Sequence, residues 1–328
     1  MLQEVYASPS DFFNPLLRQA TPLVNVTETL NLFPAEEHVS FWVKVMTVPP
    51  IYSIKWFMTY QMLHNAYTRS ELDGIEVIVV ASSGNTAAAV GLAARFYGIK
   101  YIVAIVPADI PQPKAQQLEF NGVHVIKHQE APGDTCIDRA ARLGRRKGWF
   151  NFRQYEDPGN WKGQALIGSQ IWAQTEGLVT VAGVGMGTIG TARGLRLSLP
   201  GTVHVVGGKL KENNPVPGLR PESKLQPNFD RTGINEVEVE KEESYAMGAA
   251  LRGGALAFGP STGAGAVAVA RYVRHKLETG TDGEIRNRDG EICCVFIGCD
   301  LANLYIERYT GALPSGYFSA NVPGLLDE

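Results

Sequence analysis

The sequence predicts an α/β protein made of two three-layer α/β lobes, each built on a mostly parallel sheet. The first observation is that apolar, β-branched runs alternate with helical patterns along most of the 328 residues. The second is that this alternation falls into two series, which meet near residue 155. Such alternation is typical of parallel sheets covered by crossover helices. The length also exceeds what one small core requires, which favours two lobes.

The first series contains four strand-like runs and the helical patterns that follow them. The strand-like runs are VSFWVKVM (39–46), EVIVV (76–80), YIVAIV (101–106) and HVIK (124–127). The helical patterns are SIKWFMTYQMLHNAY (53–67), NTAAAVGLAARFYG (85–98), KAQQLEFNG (114–122) and DTCIDRAARLGRRKG (134–148). We expect residues 36–154 to form the smaller domain.

The second series begins with a helical pattern, GNWKGQALIGSQIWAQTEG (159–177), and alternates in the same way. The strands are LVTVAGV (178–184), VHVVGG (203–208) and ICCVFIG (292–298), and the helices are GTARGLRLSL (190–199) and TGAGAVAVARYVRHKLE (262–278). Residues 1–35 and 155–328 are expected to form the larger domain. The segment 210–229 has four prolines and little periodicity, which predicts a surface loop or a loop that lines a cleft.

Composition excludes several classes of partner. The formal net charge of −3 leaves no basic excess to neutralise the phosphates of a nucleic acid. No apolar run approaches the ~20 residues that span a bilayer, and the first residues do not resemble a secretion signal, so a cytoplasmic location without membrane contact is expected. The four cysteines lack the spacing of zinc ligands, and we expect core thiols and no metal.

Two turns between a strand and a helix could hold anions. The stretch SSGNT (82–86) follows EVIVV and begins a helix, where backbone N–H groups and the helix dipole favour negative charge. The stretch GVGMGTIG (183–190) contains G-x-G-x-x-G after a strand. A dinucleotide site should then have an acidic residue at the end of the next strand, but VHVVGG ends in Gly207, Gly208 and Lys209. The glycine turn therefore favours a single phosphate over a dinucleotide.

Lys55 lies near the start of an amphipathic helix, in the apolar stretch VPPIYSIKWFM (48–58). A lysine at an arbitrary position is most often a solvated surface charge. Apolar surroundings lower the pKa of an amine and leave a nucleophile at neutral pH. A desolvated lysine, a phosphate-binding turn and a second anion-binding loop together are what a pyridoxal phosphate enzyme requires.

Four motifs in a fixed order carry a resemblance to a known family. They are VKVMTVPPIYSIKWFM, SSGNTAAAVGLAARFYG, GVGMGTIGTARGL and GPSTGAGAV, and they follow ATPLVNV near the N-terminus. The chain resembles the fold-type II pyridoxal phosphate enzymes of the cysteine synthase and cystathionine β-synthase family. The resemblance covers nearly the whole chain and implies the tryptophan synthase β-like fold, with pyridoxal 5'-phosphate as the cofactor.

The resemblance implies roles for residues at matching positions. Lys55 matches the lysine that forms a Schiff base with the cofactor, Asn85 the contact of the 3-hydroxyl, and Ser261 the residue facing the pyridine nitrogen. The expected cofactor contacts are Lys55, Asn85, Gly183, Gly185, Met186, Gly187, Thr188, Thr191 and Ser261. The expected contacts of the substrate carboxylate are Ser82, Ser83, Gly84, Asn85 and Thr86. Candidates for recognising the leaving group are Lys211, Asn213, Asn214 and Arg220.

The implied activity is β-replacement or β-elimination on an O-activated serine or a related amino acid, such as O-acetylserine, O-phosphoserine or cysteine, through an α-aminoacrylate. The implied partners are this amino acid, a second nucleophile and, in a homodimer, a second copy of the chain. A threonine or serine dehydratase and a threonine synthase-like enzyme are alternatives within the fold. A nucleotide-binding oxidoreductase and a non-catalytic relative are alternatives from other classes. Trp56 and Phe57 stand where the family commonly has Asp-Arg, which indicates a specialised relative.

Overall fold

The computed structural model describes residues 5–212, 214–225 and 230–317. Within these ranges the chain forms two sheets of mainly parallel strands, with helices packed on their faces. The prediction of an α/β protein with mostly parallel sheets is confirmed. None of the helices in the described part of the chain has the length and apolarity needed to cross a membrane.

The larger sheet has six strands. In spatial order they are β1 (Leu23–Asn25), β2 (Val39–Val45), β10 (Ile292–Gly298), β7 (Val181–Gly185), β8 (His204–Leu210) and β9 (Ile234–Val239). Only the β1–β2 pair among them is antiparallel. β10 is buried at every position, as expected for a central parallel strand covered on both faces. The carboxyl ends of β7 and β10 therefore meet at one edge of a covered sheet.

The smaller sheet has four strands, all parallel. In spatial order they are β5 (Val123–His128), β4 (Tyr101–Pro107), β3 (Val77–Ala81) and β6 (Trp149–Asn151). β3 and β4 consist almost wholly of buried Val, Ile and Ala, which suits strands with both faces covered. The turn that contains SSGNT follows the carboxyl end of β3.

Helices connect these strands. The α-helices are α1 (Pro9–Phe13), α2 (Thr27–Leu30), α3 (Lys55–Thr68), α4 (Asn85–Ala93), α5 (Gln112–Phe120), α6 (Cys136–Leu143), α7 (Gly159–Gln174), α8 (Gly190–Ser198), α9 (Lys241–Gly253), α10 (Pro260–Glu278) and α11 (Ile306–Ala312). Short 3-10 helices cover Pro15–Leu17, Ala35–Glu37, Ala94–Tyr97, Glu222–Lys224, Asp282–Ile285, Ala302–Tyr305 and Ser315–Tyr317. The sequence patterns did not predict α1, α2, α9, α11, β1, β6 or β9.

The expected boundary of the smaller domain needs one correction. The range 36–154 predicted for the smaller domain includes residues 39–45, but β2 pairs with β10 at seven positions of the larger sheet. Alternating apolar residues identify a strand without indicating its partner, because pairing is a long-range property. The strands of the smaller sheet all lie between residues 77 and 151.

α3 joins the two lobes because it packs against both α4 and α7. Its close approach to α7 depends on Gly163: a Cβ atom there would lie 2.6 Å from the carbonyl oxygen of Phe57. A side chain at this position would push the helices apart. Glycine at the crossing therefore sets the distance between α3 and α7, and with it the position of Lys55 in the first turn of α3.

Lys44 points from β2 into the protein and is 0% exposed. Its Nζ donates hydrogen bonds to the Thr21 carbonyl and to Gln174 Oε1, both at 2.6 Å. Burial lowers the pKa of this amine to about 7. In the unfolded chain the amine returns to its ordinary pKa of 10.5.

Lys44 therefore predicts a pH dependence of stability. Between about pH 7 and pH 10.5 the unfolded chain holds a proton that the folded chain has released, so the free energy of unfolding should rise with pH. Relative to Lys44→Met, the wild type should gain up to about 1.4 kcal/mol per pH unit in this window. Urea unfolding of both proteins between roughly pH 7 and pH 9 measures the difference.

Lys100→Met is the matched control, since Lys100 is exposed and pairs with Glu76. Its unfolding free energy should follow that of the wild type across the same pH range. Parallel curves for the wild type and Lys44→Met would contradict the predicted shift.

Candidate active site

Four helices begin at one cavity between the lobes. Lys55 is the first residue of α3, Asn85 of α4, and Ser261 lies in the first turn of α10; Thr188 and Thr191 flank the start of α8. All five line the cavity. The amino end of a helix carries partial positive charge and N–H groups without helical partners. The cavity is therefore suited to an anionic ligand.

Lys55 is held by the carboxyl end of β10. The Ile54 N–H donates to the Cys299 carbonyl at 2.8 Å, and Ser53 pairs with Asp300 in a short antiparallel bridge. Burial lowers the pKa of the Lys55 amine, while the nearby groups of Cys299 and Asp300 act in the opposite direction. Desolvation is the largest effect. The amine therefore has a larger neutral fraction than a surface lysine.

The SSGNT turn connects β3 to α4, as predicted. Ser82 and Ser83 are partly buried, Gly84 is exposed, and the Gly84 N–H contacts Ser82 Oγ at 3.3 Å. Thr86 is different: it is buried, and its hydroxyl donates to Gln154 Oε1 at 2.7 Å. The Thr86 side chain thus anchors the turn to Gln154. The Asn85 side chain lines the cavity and donates from Nδ2 to Asp300 Oδ2 at 2.7 Å.

The glycine turn after β7 forms another wall of the cavity. A Cβ atom on Gly187 would lie 2.1 Å from the Gly218 carbonyl oxygen, and one on Gly185 would lie 2.8 Å from Leu219 Cδ1. Both glycines therefore allow the loop at 218–219 to approach closely. Ile189 has φ 63°, a conformation that costs a β-branched residue about 1–3 kcal/mol. The turn has a strained shape that its surroundings impose.

Thr188 is oriented within this turn. Its Oγ1 accepts from Asn160 Nδ2 at 3.1 Å and lies 3.4 Å from the Gly190 N–H. Both contacts use the oxygen as an acceptor, so the hydroxyl proton can be donated to a ligand. Thr191, the second residue of α8, lines the same wall. The two threonines extend the anion-binding character of the α8 amino end.

Gly183 and Met186 lie behind this wall. A Cβ atom on Gly183, which lies inside β7, would be 2.2 Å from Val269 Cγ2. The Met186 side chain is buried, and its N–H donates to the Gly208 carbonyl at 2.7 Å. Both were expected to contact the cofactor; their positions instead indicate a packing role beneath the glycine turn. The pattern identified the loop, but the direction of each residue depends on the neighbouring strand and helix.

Two titratable residues are among the cavity residues that were not predicted contacts. Cys299 and Asp300 follow β10 directly and line the cavity beside Lys55. Burial raises the pKa of the Cys299 thiol to about 12, and it also raises the pKa of the Asp300 carboxyl. A polar residue directly after a buried parallel strand points to the edge where ligands bind. That signal was present in the stretch ICCVFIGCD (292–300).

The proline-rich loop lies partly at the cavity. Gly218 and Leu219 line it, whereas Lys211 pairs with Glu240 and with Glu238 at 3.5 Å. The Asn214 amide also donates to Glu240. Arg220 lies against the ring of Tyr155, with its Cζ 4.3 Å from the ring centroid. Asn213 lies outside the described residues.

The four cysteines are free and buried, in agreement with the prediction of core thiols. Across residues 5–212, 214–225 and 230–317 no group of three or more His, Cys, Asp or Glu side chains could hold a metal ion.

Comparisons with known proteins agree with this geometry. Residues 16–284 match the protein family described as pyridoxal-phosphate dependent enzyme. The cysteine synthase of Aquifex aeolicus is 29% identical over 282 residues, 81% of this chain and 84% of that protein. Cysteine synthase B of Salmonella typhimurium is 27% identical over 312 residues, 91% of this chain and 95% of that protein.

Solved structures show the same fold. O-acetyl serine sulfhydrylase isoform 3 from Entamoeba histolytica superposes with a TM-score of 0.76. The superposition covers 96% of this chain and 94% of that one, at 18% sequence identity. At this identity the likeness concerns the fold alone.

The packing of the glycine turn predicts the effect of one methyl group. Gly187→Ala would place its Cβ against the Gly218 carbonyl, so the turn or the loop at 218–219 must move. We expect a loss of about 1–3 kcal/mol in the free energy of unfolding, measured by urea denaturation. Gly253→Ala is the matched control, because a Cβ atom there has no neighbour within 4 Å among the described residues. Equal stability of the two variants would contradict the close approach.

Proposed function

The chain belongs to the family of pyridoxal-phosphate dependent enzymes, and on that premise we propose that it catalyses β-replacement on an O-activated serine. The single observation that carries the proposal is Lys55 with its lowered pKa, at the point where four helix amino ends meet a glycine turn. The names of the relatives support the reaction class, since cysteine synthases match most of the chain.

The residues present fit a phosphorylated aldehyde. A neutral amine can condense with an aldehyde, and burial favours the neutral form of Lys55. Gly185 and Gly187 line the cavity without side chains that would fill it, and the amino end of α8 favours a phosphate. We propose that Gly185, Gly187, Thr188 and Thr191 hold the phosphate and that Lys55 forms the covalent bond.

Other residues would orient the cofactor and the substrate. Asn85 is proposed to contact the 3-hydroxyl of the cofactor, and Ser261 its ring nitrogen. The turn from Ser82 to Thr86 would hold the carboxylate of the amino acid, with Thr86 bracing the turn through Gln154. In this arrangement the α-carbon of the substrate would lie next to Lys55.

When bound, pyridoxal phosphate withdraws electrons from the α-carbon of an amino acid attached through its amino group. Lys55 would take the Cα proton of that amino acid as general base. After the leaving group has left Cβ and a nucleophile has added there, Lys55 would return the proton to Cα. Ser261 would offer a neutral hydroxyl to the ring nitrogen, which would favour reactions in which the leaving group departs promptly.

The enzyme is further proposed to be a cytoplasmic homodimer. Leu16, Leu17 and Phe96 are exposed large apolar side chains of the kind that subunit interfaces cover. The four free cysteines fit a reducing compartment. Light scattering of the purified protein tests the assembly; a monomer at micromolar concentration would rule out a stable dimer.

Substitution of Lys55 tests the proposed covalent link. In Lys55→Ala, turnover should fall by roughly a thousandfold or more, because the variant lacks the base that moves the Cα proton. Borohydride treatment of the wild type should fix the cofactor on the peptide that contains Lys55, and mass spectrometry of the digest detects it. Lys100→Ala, at an exposed lysine, should keep both properties. Unchanged turnover of Lys55→Ala would remove this lysine from the mechanism.

A substrate panel tests the reaction class. The holoenzyme is mixed with O-acetylserine, O-phosphoserine, cysteine or threonine, each with and without sulfide, and products are identified by mass spectrometry. We expect an O-activated serine to react and to give a β-substituted product when the nucleophile is present. Turnover of threonine alone to a 2-oxo acid would instead favour the dehydratase.

A further inference from the structure

Asp300 places a carboxylate in the cavity that holds Lys55. It is 5% exposed, and its Oδ2 accepts hydrogen bonds from Asn85 Nδ2 at 2.7 Å and from the Tyr305 hydroxyl at 2.6 Å. Oδ1 is buried and has no hydrogen-bond partner among the described residues. A buried carboxylate with one unsatisfied oxygen is costly, and such groups are concentrated at functional sites.

The surrounding backbone is built to enclose this side chain. The Gly259 N–H donates to the Asp300 carbonyl at 2.8 Å, and Ser53 pairs with Asp300 on the other side. A Cβ atom on Gly259 would lie 2.2 Å from Asp300 Oδ1 and 2.8 Å from Tyr305 Cε2. Gly259 has an ordinary φ of −66°, so space for the carboxylate, rather than backbone conformation, requires glycine here.

We propose that Asp300 is a positioning residue: its carboxylate holds the Asn85 amide in place, and its negative charge favours the protonated form of the nitrogen at Lys55. The inference rests on the proposed function and adds to it the group that controls the charge of the reactive nitrogen.

The hydrogen bond to Asn85 links the two lobes. Asn85 begins α4, which follows β3 of the smaller sheet, whereas Asp300 follows β10 of the larger sheet. Because a carboxylate only accepts hydrogen bonds, the Asn85 side chain must turn its amide nitrogen toward it. The orientation of the amide at the cavity is therefore set by Asp300, and Tyr305 fixes Asp300 in turn.

The charges around Asp300 determine the sign of its effect. Asp300 interacts electrostatically with Lys55 on α3, Lys114 on α5, Cys299 on the same segment, Tyr305 and Tyr309. Burial raises the pKa of Asp300, while hydrogen bonds from Tyr305 and Asn85 and the charges of Lys55 and Lys114 lower it. Its negative charge raises the pKa of Lys55 against the effect of burial. Loss of that charge should therefore lower the pKa of the nitrogen.

The test compares Asp300→Asn with Asp300→Ala in the holoenzyme. Asn keeps an acceptor for the Asn85 and Tyr305 donors but loses the charge, whereas Ala loses both. The absorption spectrum of the bound cofactor is titrated with pH. In Asp300→Asn the titration midpoint should move to lower pH by roughly one unit, the size of effect expected when a nearby opposite charge is lost. Asp300→Ala should show this shift and also a rise in KM of about tenfold, since the amide is released.

A second pair of variants keeps the proposal testable if those proteins fail to fold. Gly259→Ala retains Asp300 but displaces its carboxylate. The midpoint of the pH titration should therefore shift, to lower or to higher pH, and KM should rise. Gly311→Ala, where a Cβ atom has no neighbour within 4 Å among the described residues, should match the wild type in both measurements.

The outcomes separate this inference from the proposed function. A wild type that binds no pyridoxal phosphate would overturn both. A wild type that binds and titrates, with Asp300→Asn at the same midpoint, would overturn only the role of Asp300 in the charge of the nitrogen. An unchanged KM in Asp300→Ala would overturn its role in holding Asn85.

Discussion

The structure depends on placing one amine where four helices begin. The amino ends of α3, α4, α8 and α10 all border the cavity, and each contributes partial positive charge. A protonated lysine at this point would face those dipoles without full hydration. Burial and the field of the helix dipoles therefore both lower the pKa of the amine. The same field attracts an anion. A neutral nucleophile and a phosphate site thus arise from one arrangement of helices, with Asp300 supplying opposite charge.

Such convergence requires close packing, and glycine provides it at three levels. Gly163 brings α7 against α3, Gly187 brings the phosphate-binding turn against the loop at 218–219, and Gly259 leaves room for Asp300. In each case a Cβ atom would lie within 2.6 Å of a neighbour. Interiors are packed closely enough that such overlaps must be relieved by movement. The positions of Lys55, the glycine turn and Asp300 are therefore coupled to contacts that carry no chemistry themselves.

The sequence was informative about elements and motifs and less so about long-range pairing. Alternation identified β2, yet its place in the larger sheet is set by its pairing with β10, which no local pattern specifies. The apolar neighbours of Lys55 indicated the correct direction for its pKa, but Trp56 and Phe57 are buried in the core. Adjacent residues on a helix do not share a face. The carboxyl end of β10, far away in the chain, meets the start of α3 through the hydrogen bond from Ile54 to Cys299, and no local pattern around Lys55 indicates Asp300.

Trp56 and Phe57, which differ from the family pattern, lie where α3 is anchored to the N-terminal segment. The Trp56 indole N–H donates to the Phe13 carbonyl, and the Arg18 guanidinium lies 5.1 Å from the Trp56 ring centroid. The N-terminal segment is thereby attached to the first turn of α3, while Ser53, just before the helix, is attached to Asp300. Two independent attachments flank Lys55 within three residues. Since the amine must meet a bound aldehyde with little positional freedom, large aromatic side chains at 56 and 57 add rigidity where the reaction geometry demands it.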